Sequence, residues 1–384
     1  MTQSLDLGVN IADLIDPQWR GRRVAVAMSG GVDSSVAAIM CLMAGCEVVG
    51  ITMKLWNFAA VGGDRTRDGR CCSVESFDAC RAIAAQYGFP HYVIDLQERF
   101  EACVIGNFVS EYRKGRTPNP CTVCNIDIKW GAFWEKARAF GCDALATGHY
   151  ARLERDPDNA IALRRGVDRS RDQTYFLWGI APNLLEQTLF PLGGLAKDRV
   201  RDIARRLGLA SAETPESRDI CFVDDGDLSR FLAEHAQRQG MQLSAGPIVD
   251  RDGTEIGRHE GIESFTVGQR RGLGVARGRP QYVTAIDPAT RTVTIGDDAD
   301  LFNRRFRVGA LNWLSATPAE PRHVLAQIRY RHAAAAALLS PQGADNALVE
   351  FDTPQRAITP GQSAVFYDGD RVLAGGIIDS VEHP

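Results

Sequence analysis

Residues 24–28, Val-Ala-Val-Ala-Met, form an unbroken apolar run. Such a run predicts a strand buried on both faces, as in a parallel sheet. It stops at Ser29-Gly30-Gly31, after which Val36, Ile39, Met40 and Met43 recur at helical spacing. That spacing predicts a helix with one apolar side laid on the sheet, and Asp33 and Ser34 stand in its first turn. The pattern then predicts a buried strand over 47–53, a polar glycine-containing loop over 54–70, a helix over 74–88 and a strand over 91–95. A helix over 100–114, a proline-bearing loop over 115–125, a helix over 129–140 and a strand over 144–147 follow. Helical spacing returns over 173–179 and 197–207. Strand and helix alternate throughout, which predicts an α/β domain, a doubly wound parallel sheet joined by right-handed crossovers.

The texture changes near Thr214. A small central stretch, 222–285, predicts one helix over 228–239 and then short strands spaced by glycines, through Gly261-Ile262 and Gly272–Val275. From 286 onward short strands over 292–295, 324–330, 347–351 and 363–367 predict an all-β domain, with Asp368-Gly369 as a hairpin turn. The alanines of 333–337 fit a helix and a close-packed barrel face equally well. The expected organisation is an N-terminal extension over 1–20, an α/β domain over 21–221, a small central domain over 222–285 and a C-terminal β-barrel over 286–384.

Composition sharpens this picture in two places. All ten cysteines lie at or before Cys221, which puts thiol chemistry in the first part of the chain. The net charge of −4 argues against non-specific nucleic-acid binding by the whole surface and leaves room for local basic patches. Hydrophobic residues make up 45%, an ordinary globular composition, and no 18-residue apolar run is present. A cytoplasmic protein without membrane contact is expected, and there the cysteines are reduced.

The chemistry begins at Ala27-Met28-Ser29-Gly30-Gly31-Val32-Asp33-Ser34. Two glycines let backbone N–H groups approach an anion, and the helix N-terminus adds its positive dipole end, so the loop reads as a phosphate cradle. It lacks the Gly-Lys-Ser/Thr ending of a Walker A loop, and Ser29 does not sit inside the Gly-x-Ser-x-Gly of a nucleophile elbow. The loop resembles that of the PP-loop ATP pyrophosphatases, which cleave ATP between its α and β phosphates and adenylate a carbonyl oxygen. A second constellation, Arg116-Thr117-Pro118-Asn119-Pro120-Cys121-Thr122-Val123-Cys124-Asn125, sets a Cys-x-x-Cys behind a proline-bounded turn. That pair reads as a redox couple, as metal ligands or as buried thiols. No second Cys-x-x-Cys or His-x-x-x-His follows to complete a zinc site. Glu216–Phe222 brings a further cysteine, Cys221.

Taken in order, several stretches resemble the bacterial tRNA-specific 2-thiouridylases over nearly the whole chain. They are the Ser29–Ser35 loop, 116–125, Ala146–Arg152, Arg171–Leu177, 216–222, Gly268–Val275, Ile328–His332 and Thr359–Asp370. This resemblance implies the enzyme class tRNA-uridine 2-sulfurtransferase: ATP adenylates C2 of the wobble uridine, and a persulfide sulfur replaces the oxygen, giving 2-thiouridine, AMP and pyrophosphate. It implies Cys124 as nucleophile, Cys221 as persulfide carrier and Asp33 as a catalytic carboxylate. The nucleotide contacts it implies are Ala27 through Ser34 with Met53 and Gly148, and Mg2+ accompanies ATP. The implied tRNA contacts are Asn119, Pro120, Cys121, His149, Arg171, Asp172, Gln173, Arg329, Tyr330 and Gln362. Implied partners are tRNAs reading lysine, glutamate and glutamine codons and a cysteine desulfurase or sulfur-relay protein.

The chain departs from the commonest family pattern at Cys121, where Asp is usual. Three cysteines, Cys121, Cys124 and Cys221, are therefore also compatible with a 4Fe–4S cluster. Cys41, Cys46, Cys103 and Cys142 sit in apolar context and read as inert, whereas Cys71, Cys72 and Cys80 are ambiguous with a structural leaning. Arg270, Arg271, Arg277 and Arg279 form a basic loop suited to phosphates. Two rival functions share part of this pattern. A PP-loop amide-forming ligase would use the cradle without Cys124 and Cys221, and a non-enzymatic RNA-binding barrel protein would not need an intact cradle.

Overall fold

Strand β1 (Arg23–Ala27) is the middle of a five-stranded parallel sheet, and Val24, Ala25 and Val26 are fully buried in it. The computed structural model describes residues 7–56, 74–213, 220–223, 226–275 and 278–382. Cys71, Cys72, Arg218 and Arg277 lie outside the described residues. The chain divides into two compact units, residues 1–101 with 124–222 and residues 102–123 with 223–384.

In the first unit β1 runs into helix α1 (Val32–Met43), followed by β2 (Glu47–Lys54), helix α2 (Val74–Tyr87), β3 (His91–Asp95), helix α3 (Trp134–Ala139) and β4 (Ala144–Ala146). A hairpin of β5 (Ala151–Arg155) and β6 (Ile161–Arg165) comes next, then β7 (Thr188–Leu189) and helix α4 (Lys197–Arg206). The sheet order is β3-β2-β1-β4-β7, and all four pairings are parallel. Strand order therefore reverses at β1, between β2 and β4, and ligands of doubly wound sheets bind at the carboxyl end of that switch point. Val24, Val26 and Met28 from β1 meet Val36, Ile39 and Met40 from α1 in one core. Each such buried side chain contributes about 1.5–3 kcal/mol.

In the second unit helix Gly106–Arg113 and helix α5 (Leu228–Arg238) accompany two sheets. Asp227 caps α5, its Oδ1 accepting from the Arg230 N–H at 2.9 Å. Strands β8 (Gly246–Val249), β9 (Glu255–His259), β10 (Tyr282–Asp287) and β11 (Thr292–Gly296) form a sheet of order β10-β11-β8-β9. Strands β12 (Phe302–Trp313), β13 (Arg322–Gln327), β14 (Ala335–Pro341), β15 (Ala347–Arg356), β16 (Ser363–Asp368) and β17 (Arg371–Glu382) run β12-β15-β14-β13-β16-β17. β12 also pairs with β17, which closes a six-stranded barrel. The alanine run resolves as strand: Ala337 is fully buried, opposite Val324 on one side and Phe351 on the other. Small side chains there let neighbouring strands of a narrow barrel approach. Asp368 pairs with Arg371 across Gly369-Asp370, the expected hairpin.

The structure corrects four expectations from the pattern. The second cysteine motif is not all loop, because Pro120–Val123 is a helical turn. Asn119 Oδ1 accepts from the Thr122 N–H at 3.3 Å, so Asn119-Pro120 acts as a cap and first helical residue. Wide π-type turns then run over Cys124–Phe133, interrupted at Gly131. Residues 173–179 contain only the short 3-10 turn Thr174–Phe176, since Asp172 accepts the Thr174 hydroxyl and competes with helical bonding. Neither 261–262 nor 272–275 is a strand: Ile262–Ser264 is a 3-10 turn, and Gly272 and Gly274 take left-handed φ of +73° and +69°. The hairpin β5–β6 carries no strand expectation, although Asp156-Pro157-Asp158-Asn159 is a turn signal and Asn159 has φ +68°. Among the described residues no helix is long and apolar enough to cross a membrane.

Candidate functional site

The loop after β1 is braced from inside. Ser34 Oγ accepts from the Ser29 N–H at 3.1 Å and donates to the Gly31 carbonyl at 3.1 Å, while Ser35 Oγ donates to the same carbonyl at 2.9 Å. Gly31 is the N-cap of α1 and brings no side chain to cap it. The first-turn N–H groups of an α-helix have no intrahelical acceptor, so the end of α1 is an anion site by construction. Gly30 has φ +77°, and a Cβ there would lie 2.9 Å from the Ser76 carbonyl oxygen. Only glycine fits. Ala27, Met28 and Met53 are buried at the carboxyl ends of β1 and β2, beneath the loop.

Asp33 sits in the first turn of α1 and is gripped from two directions. Lys197 Nζ lies 2.8 Å from each carboxylate oxygen, and the Tyr150 hydroxyl donates to Oδ1 at 2.7 Å. The Lys197 side chain is 6% exposed and that of Asp33 30%, so the pair is buried on the lysine side and open on the aspartate side. Gly148 packs against the same turn: a Cβ on it would stand 2.8 Å from the Asp33 carbonyl carbon and 2.9 Å from the Ser34 nitrogen. Its glycine thus serves the close approach of two protein segments. Lys197 and Tyr150 escaped the reading of the sequence. A signal for Lys197 existed: it opens helix α4, where the helix dipole disfavours a cation, so a compensating anion was to be expected.

His149 faces a hydroxyl and an ammonium. Its Nδ1–H donates to Thr147 Oγ1 at 2.7 Å, and Lys129 Nζ donates to Nε2 at 3.3 Å. Trp130 and Phe190 rings each lie 6.0 Å away. Burial, aided by the like charge of Lys129, drives its pKa well below the ordinary histidine value, so the ring is neutral. Asp172 is buried, its Oδ2 accepting from Arg165 at 3.0 Å and the Thr174 hydroxyl at 2.8 Å and its Oδ1 from the Gly166 N–H at 3.1 Å. Gln173 clasps Tyr150, with Oε1 accepting from the Tyr150 N–H at 2.9 Å. Arg171, half-buried, begins this turn.

In the second unit Asn119 and Gln362 come together through the backbone between them. Gln362 Nε2 donates to the carbonyls of Thr117 at 3.0 Å and Pro118 at 3.3 Å, and the Thr117 N–H donates to the Pro360 carbonyl at 2.8 Å. Arg116 fastens the same segment to β17, bonding the Asp379 carboxylate at 3.0 Å and the Ile378 carbonyl at 3.1 Å. Arg329 and Tyr330, half-buried, lie in the turn just past β13, where Arg329 donates to the Arg356 carbonyl at 3.1 Å.

Cys121 and Cys221 are exposed and Cys124 is half-buried. The residues that follow Cys124 and Cys221 are anchors: Asn125 Nδ2 donates to the Phe176 carbonyl at 2.8 Å, and Phe222 packs edge-on against Phe100 at 5.8 Å. Cys41, Cys46, Cys80 and Cys142 are buried. The hydrogen bond to Cys46 and burial hold the Cys41 thiol well up, the same hydrogen bond lowers the pKa of Cys46, and burial pushes Cys142 to about 11. Among the described residues no group of three or more His, Cys, Asp or Glu side chains converges to hold a metal.

The family model described as tRNA methyl transferase HUP domain matches residues 22–225, that described as tRNA methyl transferase PRC-barrel domain matches 229–297, and that described as Aminomethyltransferase beta-barrel domain matches 303–378. The tRNA-specific 2-thiouridylase MnmA of Acidobacterium capsulatum is 48% identical over 367 residues, 92% of this chain and 98% of its own. Those of Solibacter usitatus and Clostridioides difficile are 48% and 42% identical, covering 93% and 94% of this chain and 99% of each relative.

Proposed function

The chain belongs to the tRNA-specific 2-thiouridylase family, and from that premise we propose that its tRNA 2-thiolation proceeds by adenylation of the wobble uridine followed by transfer of a persulfide sulfur. The observation that carries the reading is the glycine cradle at the β1–β4 switch point, with the Asp33–Lys197 pair at its mouth. The N–H groups at the start of α1 would bind ATP phosphates, and Lys197 offsets the negative charge that Asp33 brings to an anion site. Mg2+ arriving with the nucleotide needs only one or two protein carboxylates, and Asp33 is the one this turn supplies.

A uracil carbonyl oxygen is a poor leaving group. Attack of that oxygen on the α-phosphorus expels pyrophosphate and turns the oxygen into part of AMP. The terminal sulfur of a Cys221 persulfide then attacks C2 and AMP departs, leaving C2 joined to Cys221 through a disulfide. The Cys124 thiolate attacks the Cys221 Sγ, which releases 2-thiouridine and forms a Cys124–Cys221 disulfide. A dithiol reductant returns the two electrons, and a cysteine desulfurase or sulfur-relay protein reloads Cys221.

Arg171 and Gln173 with Arg329 and Tyr330 are assigned to RNA, offering charge and a stacking face. Asp172, Asn119 and Gln362 serve the same contacts as braces, in keeping with their internal hydrogen bonds. His149 is assigned beside the flipped base as a neutral ring. Residues 21–221 would carry the nucleotide and sulfur chemistry and 286–384 much of the RNA grip. Substrates are tRNAs for lysine, glutamate and glutamine, in the reducing cytoplasm.

Pyrophosphate release from ATP, measured with and without unmodified tRNA, tests the reading. Release that depends on tRNA and yields 2-thiouridine with a persulfide donor is the expected result. Release that depends on an amine and a carboxylic acid would instead indicate an amide ligase, and tRNA binding with no release a non-enzymatic RNA-binding protein.

A further inference from the structure

Tyr150 touches both halves of the proposed chemistry. On one side its backbone is clasped by Gln173: the Tyr150 N–H donates to Gln173 Oε1 at 2.9 Å, and the Gln173 N–H donates to the Tyr150 carbonyl at 3.0 Å. On the other side its hydroxyl donates to Asp33 Oδ1 at 2.7 Å. Tyr150, whose ring lies between these contacts, is 3% exposed. A packed aromatic ring has almost no freedom to absorb a displacement, so motion of its backbone arrives at its hydroxyl.

The two ends are themselves stiff. Asp172, next to Gln173, is locked by Arg165, the Gly166 N–H and Thr174, so the turn is braced at its centre. Asp33 is held by Lys197 on both oxygens, and Gly148, two residues before Tyr150, packs against the Asp33 and Ser34 backbone. Three hydrogen bonds and one ring thus link the turn at Arg171–Gln173 to the carboxylate at the cradle. A hydrogen bond to a charged acceptor is stronger than one between neutral groups, enough to bias the set of that carboxylate.

We infer that Tyr150 is a positioning residue that couples engagement of RNA at the Arg171–Gln173 turn to the orientation of Asp33, and through it to cleavage of ATP. The coupling rests on the roles proposed above for that turn and for Asp33. Free enzyme would then hold Asp33 in the orientation set by Lys197 and Tyr150 together, and bound tRNA would shift it through the phenol. ATP is thereby cleaved mainly when an acceptor base is in place.

The test is pyrophosphate release by the full chain, with ATP alone and with saturating unmodified tRNA transcript. Tyr150→Phe keeps the ring and the backbone clasp and removes only the hydroxyl. The expected result is a fall of about tenfold in the tRNA-stimulated rate, with the KM for ATP and the Kd for tRNA each within about twofold of the parent. Unchanged stimulation overturns the inference, and so does a parallel loss of ATP affinity, which would make the hydroxyl merely part of the nucleotide site. Should Tyr150→Phe fail to fold, Gln173→Leu at saturating tRNA carries the same test with the same expected loss. Where both fold, the double variant should lose no more than either single one, and additive losses overturn the coupling. If Asp33→Ala still releases pyrophosphate, or Arg171→Ala leaves tRNA affinity untouched, the underlying roles fall and the inference with them. Failure of the Tyr150 result while those two variants behave as proposed removes the inference alone.

Discussion

Lys197 Nζ stands 2.8 Å from both carboxylate oxygens of Asp33, although 164 residues separate them in the chain. The lysine is the buried partner and the aspartate the open one. Removing either member has a different consequence. Asp33→Ala leaves a buried ammonium without its carboxylate, a loss of about 3–5 kcal/mol for such pairs. Lys197→Met leaves a carboxylate that water can reach, and should cost roughly half as much or less. Both variants should lose pyrophosphate release by at least about a hundredfold while tRNA affinity stays within about twofold. Thermal unfolding of the two side by side checks the asymmetry; equal losses of Tm would show that the open face of Asp33 is not solvated.

Cys121 is exposed. Cys121→Ser should retain most of the thiolation activity, whereas Cys124→Ser and Cys221→Ser should abolish 2-thiouridine formation and spare pyrophosphate release. Mass spectrometry of nucleosides from tRNA, with a persulfide donor and a dithiol, reads all three. Inactive Cys121→Ser would contradict the assignment of the catalytic pair to Cys124 and Cys221 alone.

Arg329 and Tyr330 end β13 in a turn, outside the nucleotide unit. The double variant Arg329→Ala with Tyr330→Ala should weaken tRNA binding and leave ATP binding intact. Loss of one phosphate contact should also reduce the slope of log affinity against log salt by about one. A salt titration that superimposes on the parent would show that this turn does not meet RNA.

Histidines make stability fall on the acid side. Burial lowers the pKa of His91, His235, His259 and His332, and lowers that of His149 well below 6.5. Unfolded chains bind these protons near 6.5, the folded protein only at lower pH. Between the two values the unfolded state holds more protons, so the stabilisation is complete above the unfolded pKa and is lost as pH falls below it. The unfolding free energy should decline below about pH 6.5, by up to about 1.4 kcal/mol per pH unit for each histidine. His149→Gln should flatten that decline measurably in denaturant titrations, and an unchanged slope would place the uptake elsewhere.

Much of the fold is legible in local pattern because local physics dictates it. Residues 24–28 could only be a strand buried on both sides, and Ser29 through Ser34 could only turn into a helix with an open anion-binding end. Three of the six barrel strands, β13, β15 and β16, fall on expected stretches, whereas the pattern leaves β14 open between helix and strand and carries no expectation for β12 and β17. Patterns failed where a side chain competes with the backbone: Asp172 draws Thr174 out of a helix, and Asn119 with Pro120 starts one inside an expected loop.

Residues close together along the chain specify the cradle and much of the order of β and α elements. Folding selects which distant groups complete the site. Lys197 and Tyr150 reach Asp33 from 164 and 117 residues away, and Gln362 reaches Thr117 across 245. The physical reason is that a buried charge or amide takes its partner from whatever segment packing brings alongside, and no periodicity in the chain records that choice.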